Sequence, residues 1–353
     1  METRAATNVR LNSAAQTPRS AEAVLAEAHR IVQPAQRAAF EKLTAEIRHV
    51  AGYHAGWWDA QGRPAEESGK AVRPALAMAC ARAAGGDAAV EAAVPAAVAV
   101  ELVHDFSLLH DDVMDGDELR RHRPTVWTVF GVGQAILVGD VLLTAAVQQL
   151  STQPTAGTAV RTLTAAVQDL CAGQWADVAF EQRDDVDLAE CLAMAEGKTG
   201  ALLGAACELG AISAGAGEQA EDRYREFGRQ LGVAFQLVDD LLGIWGDPAV
   251  TGKPAGSDLA SRKRSLPVVA ALRSGTKASR RLGRLYRGSD ELDEMDVAQA
   301  TELVEAAGGR NWATTEAERR LAAAMDALHA ARPHTDGAAD LAVLADLILQ
   351  REH

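Results

Sequence analysis

The chain has 353 residues, 48% of them hydrophobic but only 4% aromatic, and a formal net charge of −14. That acidity, with no Lys/Arg run along one face, argues against nucleic-acid binding, and the apolar share is too high for general disorder. Four scattered cysteines (Cys80, Cys171, Cys191, Cys207) without a CxxC pair exclude a zinc knuckle or a disulfide scaffold. They read as buried thiols of a reducing compartment.

Residues 1–20 are polar and small and read as a flexible N-terminal tail, without the apolar core of an export signal. From residue 21 to 353 the pattern is one of successive helices at 3.6-residue apolar spacing, broken by short Gly, Pro and Asp clusters. No strand-length alternation and no linker interrupts it. The fold expected is all-α, a single large helical bundle of roughly ten or more helices. Ala92–Val103 and Thr199–Ala211 are apolar nearly all round and should be its buried central helices. The longest apolar stretches, 88–103 and 132–147, contain Glu91, Pro95, Glu101 or Asp140 and fall short of the roughly twenty residues of a membrane span. A cytoplasmic protein is the simplest expectation.

Taken in chain order, the polar features begin with GKAVRP at 69–74, where Lys70 and Arg73 stand three apart at a helix start. Next comes HDFSLLHDDVMD at 104–115. Asp111 and Asp115 are four residues apart, so a helix projects both carboxylates from one face, and like charges there repel. A divalent cation between them gives that arrangement a purpose, because Mg²⁺ takes one or two carboxylates and fills its shell with water and phosphate. The bland alternative is a solvated acidic helix end. Arg120, Arg121 and Arg123 follow directly, as suits a metal-bridged anion that also needs guanidinium contacts. As a purely local patch they would pair with Asp115, Asp117 and Glu118.

Gly197-Lys198-Thr199 opens an apolar run and is expected at a helix N-terminus with free backbone N–H groups, an anion site. A second acidic pair, Asp239 and Asp240, closes another apolar helix, with Gln236 one turn before Asp239 on its face. A Gly-flanked loop with Lys253 comes next, then Arg262-Lys263-Arg264. The chain has only six lysines among 35 basic residues, and four of them (Lys70, Lys198, Lys253, Lys263) lie in these patches. Two Glu-x-x-His spacings (Glu46/His49, Glu101/His104) allow a di-iron bundle, but that reading leaves both Asp pairs and the lysines unused.

Taken together, GKAVRP, DDVMD with RRHRPT (111–125), GKT, FQLVDD (235–240) and GKPAGSDLASRKRSLP (252–267) resemble the all-trans isoprenyl (polyprenyl) diphosphate synthases. The resemblance implies an Mg²⁺-dependent prenyltransferase, usually a homodimer, that condenses isopentenyl diphosphate with an allylic diphosphate using three Mg²⁺ ions. It implies metal ligation by Asp111, Asp115 and Asp239, with Asp112 and Asp240 in support. Arg120, Lys198, Thr199, Gln236, Lys253 and Lys263 would contact the allylic substrate or its developing charge. Lys70, Arg73, His104 and Arg121 would hold isopentenyl diphosphate.

This sequence departs from the family pattern at Gly243, where a third Asp is usual and for which Asp247 is a candidate substitute. It departs again at His122, where Gly is usual. Product length should be set four and five residues before Asp111, at Ser107 and Phe106. One aromatic, no second aromatic and no insertion in the first acidic motif resemble enzymes that make the twenty-carbon geranylgeranyl diphosphate. Farnesyl or longer-chain synthases are the alternatives. A terpene cyclase of the same fold would normally carry an Asn/Asp-x-x-Ser-x-x-x-Glu triad, which none of Asn8, Asn12 and Asn311 begins.

Overall fold

The computed structural model describes residues 19–65, 69, 71–248, 255–287 and 292–349. Most of residues 1–20, together with Lys70 and Lys253, lie outside them. Helices run in the order α1 (Ala21–Phe40), α2 (Ala45–His54), α3 (Val72–Gly85), α4 (Val94–Asp115), α5 (Val126–Phe130), α6 (Val132–Ser151), α7 (Ala156–Phe180), α8 (Leu188–Ala195), α9 (Ala201–Ser213) and α10 (Glu218–Trp245). The remainder are α11 (Ser257–Ala260), α12 (Leu266–Arg273), α13 (Lys277–Leu285), α14 (Glu294–Ala306), α15 (Gly309–Ala330) and α16 (Thr335–Leu349). The all-α bundle expected from apolar spacing is the fold observed.

The centre is built from the two segments that are apolar all round. Every residue of α9 from Ala201 to Ile212 is buried, and α4 is buried along most of Ala96–Leu109. Helices α3, α7 and α10 pack around α9, and α6 packs along α4. Such close approach needs small residues. A Cβ at Gly228 would lie 2.8 Å from Cys207 Sγ, and one at Gly210 would lie 3.0 Å from the Ala77 carbonyl carbon. Two residues assigned to the tail are in fact tied down: Ser20 caps α1 by accepting from the Ala23 N–H, and Arg19 pairs with Glu27 at 2.7 Å and with Asp340.

Three local expectations are corrected. A two-residue antiparallel ladder, Leu119–Arg120 with Arg123–Pro124, interrupts the helical text; it is too short for an alternation to reveal. Cys171 is exposed, while Cys80, Cys191 and Cys207 are buried, because Cys171 sits on the open face of α7. Finally, the helical segments Asp87–Asp115 and Val132–Ser151 are longer than the apolar stretches 88–103 and 132–147 within them and are long and apolar enough to cross a membrane by length and composition, with Glu101 and Asp140 inside them. The first supplies the bundle core; the second leaves Val132, Ile136 and Leu137 exposed.

Candidate active site

Helix α4 divides its polar residues between two faces. Asp111 and Asp115 lie on one. Glu101, Asp105 and Asp112 lie on the other, toward α1, α2 and the hairpin. Asp112 is 2% exposed and is held by Arg120, whose Nε donates to Oδ1 at 2.7 Å while Nη2 lies 2.6 Å away. Arg123 does not join an acidic patch: it donates to the Trp58 carbonyl at 3.0 Å and stacks over Tyr53. The turn between the short strands puts His122 under backbone strain, because Arg121 and His122 have φ of 51° and 61°. Left-handed backbone suits Gly at this place in a two-residue hairpin. His122→Gly should therefore raise stability by about 1 kcal/mol or less, read as a higher urea midpoint at unchanged slope; a lower midpoint would refute the strain.

The hairpin carries Arg121 back to the start of α3. A Cβ at Gly69 would lie 2.9 Å from Arg121 Nη1, so two motifs fifty residues apart in sequence share one place. Arg73 and Arg121 both act electrostatically on Glu101, His104 and Asp105. Burial and these arginines hold His104 well below its ordinary pKa, so its imidazole is neutral. Asp105 accepts from Gln36 at 3.0 Å and lies 3.7 Å from His54, which burial pulls down to about 3. The result is a cationic rim over a buried polar floor.

The Lys198 segment is not a helix N-terminus as expected. Glu196–Gly200 forms a π turn that joins α8 to α9 without a break, so its N–H groups are not free. Turns of this kind often mark functional sites. Gly173 of α7 and Gly232 of α10 clamp it: a Cβ at Gly173 would lie 2.8 Å from Lys198 Cα, and one at Gly232 2.6 Å from Gly200 Cα. Gly232→Ala must move backbone, at a cost of about 1–3 kcal/mol. It should lower both the melting temperature and kcat; an unchanged kcat would show that the clamp does not position Lys198 and Thr199.

From this turn Lys198 Nζ donates to Asp177 Oδ2 at 2.6 Å. Thr199 Oγ1 donates to Gln236 Oε1 at 2.7 Å, Gln236 Nε2 donates to Asp240 Oδ1 at 2.8 Å, and the Leu266 N–H donates to Asp240 Oδ2 at 2.8 Å. This relay locks the π turn to α10 and α12. It leaves Asp240 buried and Asp239, one residue earlier, exposed.

Electrostatics tie the pieces together. Burial pushes Asp111 up to about 6, opposed by Lys198 and reinforced by Asp115. Burial likewise raises Asp115, opposed by Lys198 and Lys263 and reinforced by Asp177. Asp240 is pushed up to about 7 by burial, against the pull of Lys263. Burial alone would lower Lys263, yet Asp258, Asp240, Asp177 and Asp239 hold its ammonium above the ordinary value. The two acidic motifs therefore face each other across Lys198 and Lys263. Sequence reasoning gave no role to Asp177, a lone Asp, or to Asp258, which lies within the 252–267 motif; the tertiary packing reveals the place of both.

Among the described residues no three His, Cys, Asp or Glu side chains form a ready metal cage. The donor set nonetheless suits Mg²⁺, which needs only one or two carboxylates per ion when phosphate and water complete the shell. Asp112 Oδ2, buried without a hydrogen-bond partner among the described residues, adds an unused acceptor beside Asp111.

An all-α bundle with two opposed acidic faces, lysines between them and a separate arginine rim is the architecture of an enzyme that handles two anionic substrates. The polyprenyl synthetase family profile matches residues 63–304, and the chain belongs to that family: it is a transferase, a trans-prenyl diphosphate synthase. It is 47% identical over 335 residues to a (2E,6E)-farnesyl diphosphate synthase of Mycobacterium bovis, covering 93% of each chain. It is also 47% identical over 334 residues to a geranylgeranyl diphosphate synthase of Mycobacterium tuberculosis, covering 94% of each. The crystal structure of a polyprenyl synthetase from Streptomyces coelicolor A3(2) superposes with a TM-score of 0.88 at 49% identity, covering 93% of this chain and 99% of that one. A geranylgeranyl pyrophosphate synthase from Corynebacterium glutamicum, complexed with isoprenyl diphosphate and magnesium, matches at TM-score 0.78 and 27% identity over 94% of this chain and 98% of that one.

Proposed function

We propose that the protein condenses isopentenyl diphosphate with dimethylallyl, geranyl or farnesyl diphosphate to give geranylgeranyl diphosphate, with Mg²⁺ as cofactor. The observation that carries the reading is the meeting of Asp111, Asp115 and Asp239 with Lys198 and Lys263, from segments far apart in sequence. Asp111, Asp115 and Asp239 would hold Mg²⁺, which would supply positive charge to stabilise the departing diphosphate.

In this reading Lys198, Lys263, Lys253 and Arg120 orient the allylic diphosphate and stabilise its negative charge as the C–O bond breaks. The Thr199 and Gln236 dipoles lie beside the allylic cation. Arg73, Lys70, Arg121 and neutral His104 hold isopentenyl diphosphate so that its double bond attacks the cation carbon. The new C–C bond forms, and the proton lost from the adjacent carbon passes to the released pyrophosphate. The apolar walls of α4 and α9 exclude water that would quench the cation.

The twenty-carbon length is supported by Ser107, whose hydroxyl turns back to donate to the His104 carbonyl at 2.8 Å, leaving little bulk one turn before Asp111. Incubation with Mg²⁺, isopentenyl diphosphate and each starter, followed by product sizing, tests the reading. Accumulation of the fifteen-carbon product would overturn the length, and no chain growth from any starter would overturn the reaction.

A homodimer in the cytoplasm completes the proposal. Its support is the run of exposed apolar side chains on α5, α6 and α7: Val129, Val132, Ile136, Leu137, Trp175 and Val178. A patch of this kind marks an interaction surface. Leu137→Glu should convert the dimer to monomer in sedimentation velocity; a wild-type monomer would refute the assignment.

A further inference from the structure

Helix α13 carries a charge pattern at odds with the rest of the chain. From Arg273 to Arg287 the sequence has six basic residues and no Asp or Glu, in a chain of net charge −14. Lys277, Arg280, Arg281 and Arg284 stand three and four apart, so the helix gathers them within about a third of its circumference. All four are exposed, while Ser279 and Leu282 on the opposite side are buried. This corrects the expectation that the chain lacks a Lys/Arg face, because such spacing makes a face only once the helix forms.

These cations are not spent inside the protein. Among the described residues none of the four pairs with a carboxylate, and Arg280 Nη1 donates to the Gly275 carbonyl at 3.0 Å. The acids that open α14, namely Asp293, Glu294 and Asp296, leave them unpaired. Next to the basic face, Gly283 and Arg287 border a cavity of about 230 Å³ whose wall also holds Arg264 and Arg273. Three guanidiniums stand there against the one carboxylate of Asp184, which pairs with Arg264 at 2.6 Å. The edge of the face therefore has room and surplus charge for a phosphate group.

We propose that the basic face of α13 docks the enzyme on a bilayer of anionic phospholipid. A cluster of four or more Lys and Arg on an amphipathic helix is the pattern that such surfaces attract. The apolar side of α13 is used in the core, with Leu282 fully buried, so the contact is electrostatic and nothing inserts. The acidic remainder of the chain does not cancel it, since exposed charges more than about 8 Å away are largely screened at physiological salt. The product favours a bilayer over a nucleic acid as the partner. A polyprenyl diphosphate joins a hydrocarbon chain to an anionic head, and an enzyme docked on a bilayer releases it where both parts are accommodated.

The test sediments the full chain with vesicles of phosphatidylcholine alone or mixed equally with phosphatidylglycerol. Binding should require phosphatidylglycerol and fall by about tenfold or more between about 0.1 M and about 0.5 M NaCl. Arg281→Glu/Arg284→Glu should weaken it by about 25-fold or more, each cation counting for about fivefold. The same variant should keep the wild-type rate of prenyl transfer in vesicle-free buffer, which shows that the fold survives. Arg30→Glu/Lys42→Glu makes the same charge change at exposed positions on and just after α1, and should leave vesicle binding within about twofold of wild type. Wild-type protein that ignores anionic vesicles, or binds neutral ones equally, would overturn the proposal, as would an equal loss in Arg30→Glu/Lys42→Glu. Duplex RNA held more tightly than the vesicles, and lost in Arg281→Glu/Arg284→Glu, would give the face to nucleic acid and overturn it as well.

Discussion

Asp111→Asn should give a folded, metal-free chain that is more heat-stable than wild type at pH 7.5 and slower in prenyl transfer by about 10²–10³-fold or more. Both effects have one cause. Burial lifts Asp111 from 3.8 to about 6, so above pH 7 the metal-free enzyme holds an ionised carboxylate that its surroundings disfavour. The difference corresponds to about 2–3 kcal/mol at most.

The sign follows from proton linkage. The folded form binds the proton more tightly than the unfolded chain, so stability falls as pH rises from about 4 through about 6. Asn cannot ionise. The wild-type and variant melting curves should therefore coincide near pH 4 and separate above pH 6, with the variant higher. Added Mg²⁺ and pyrophosphate should reverse the order at pH 7.5 by stabilising only the enzyme that binds them. Melting temperatures across pH 4–8, with and without Mg²⁺, check this; a variant less stable than wild type at pH 7.5 without metal would show that Asp111 is structural.

Much of this site is legible in the sequence because its chemistry forces improbable local patterns. Two carboxylates one turn apart on an apolar helix, and the adjacent pair Asp239–Asp240 closing another, have no stabilising use of their own, and a lysine-poor chain that places Lys198 and Lys263 beside them advertises an anion. The helices were equally legible, since apolar spacing and Gly/Pro/Asp breaks are local properties. What stayed hidden depends on tertiary packing. The π turn at Glu196–Gly200 has no composition of its own, and Gly197 read naturally as a helix start. The hairpin at Leu119–Pro124 is too short for a period and puts Arg121 and His122 where Asn-Gly would have announced it. Asp177 is a single acid on another element with nothing in its neighbours' identities to mark it out, and Asp258, although inside the 252–267 motif, shows its place beside Lys263 only in the packed structure.

Phe106→Ala should lengthen the product by at least one five-carbon unit beyond that of the wild type, to twenty-five carbons or more on the proposed twenty-carbon reading. Phe106 and His110 lie one turn apart on α4 and meet edge to face, with ring centroids 4.9 Å apart. His110 is in turn held against α6: its Nε2 is 3.0 Å from the Ile136 carbonyl oxygen, and a Cβ at Gly139 would lie 2.5 Å from its Cδ2 and closer still to Nε2. Phe106 is thus a braced ring between α4 and α6, beside the Ser107–Asp111 face along which, in the proposed reading, the product grows. Removing it leaves a cavity lined by apolar side chains, which costs about 3–5 kcal/mol when such a space stays empty. A longer polyprenyl chain recovers part of that cost by filling it, so the same change that destabilises the free enzyme favours further elongation. Ser107→Phe should act in the opposite sense, closing the path one turn before Asp111 and stopping growth at fifteen carbons. Dephosphorylated products sized by mass spectrometry decide both. Unchanged length in Phe106→Ala, with the protein folded, would place the floor elsewhere along α4 and α6. Ile136 joins this wall to the exposed α6 face, since its carbonyl braces His110 while its side chain lies on the surface proposed to bind the second subunit. Leu137→Glu should therefore alter product length as well as assembly.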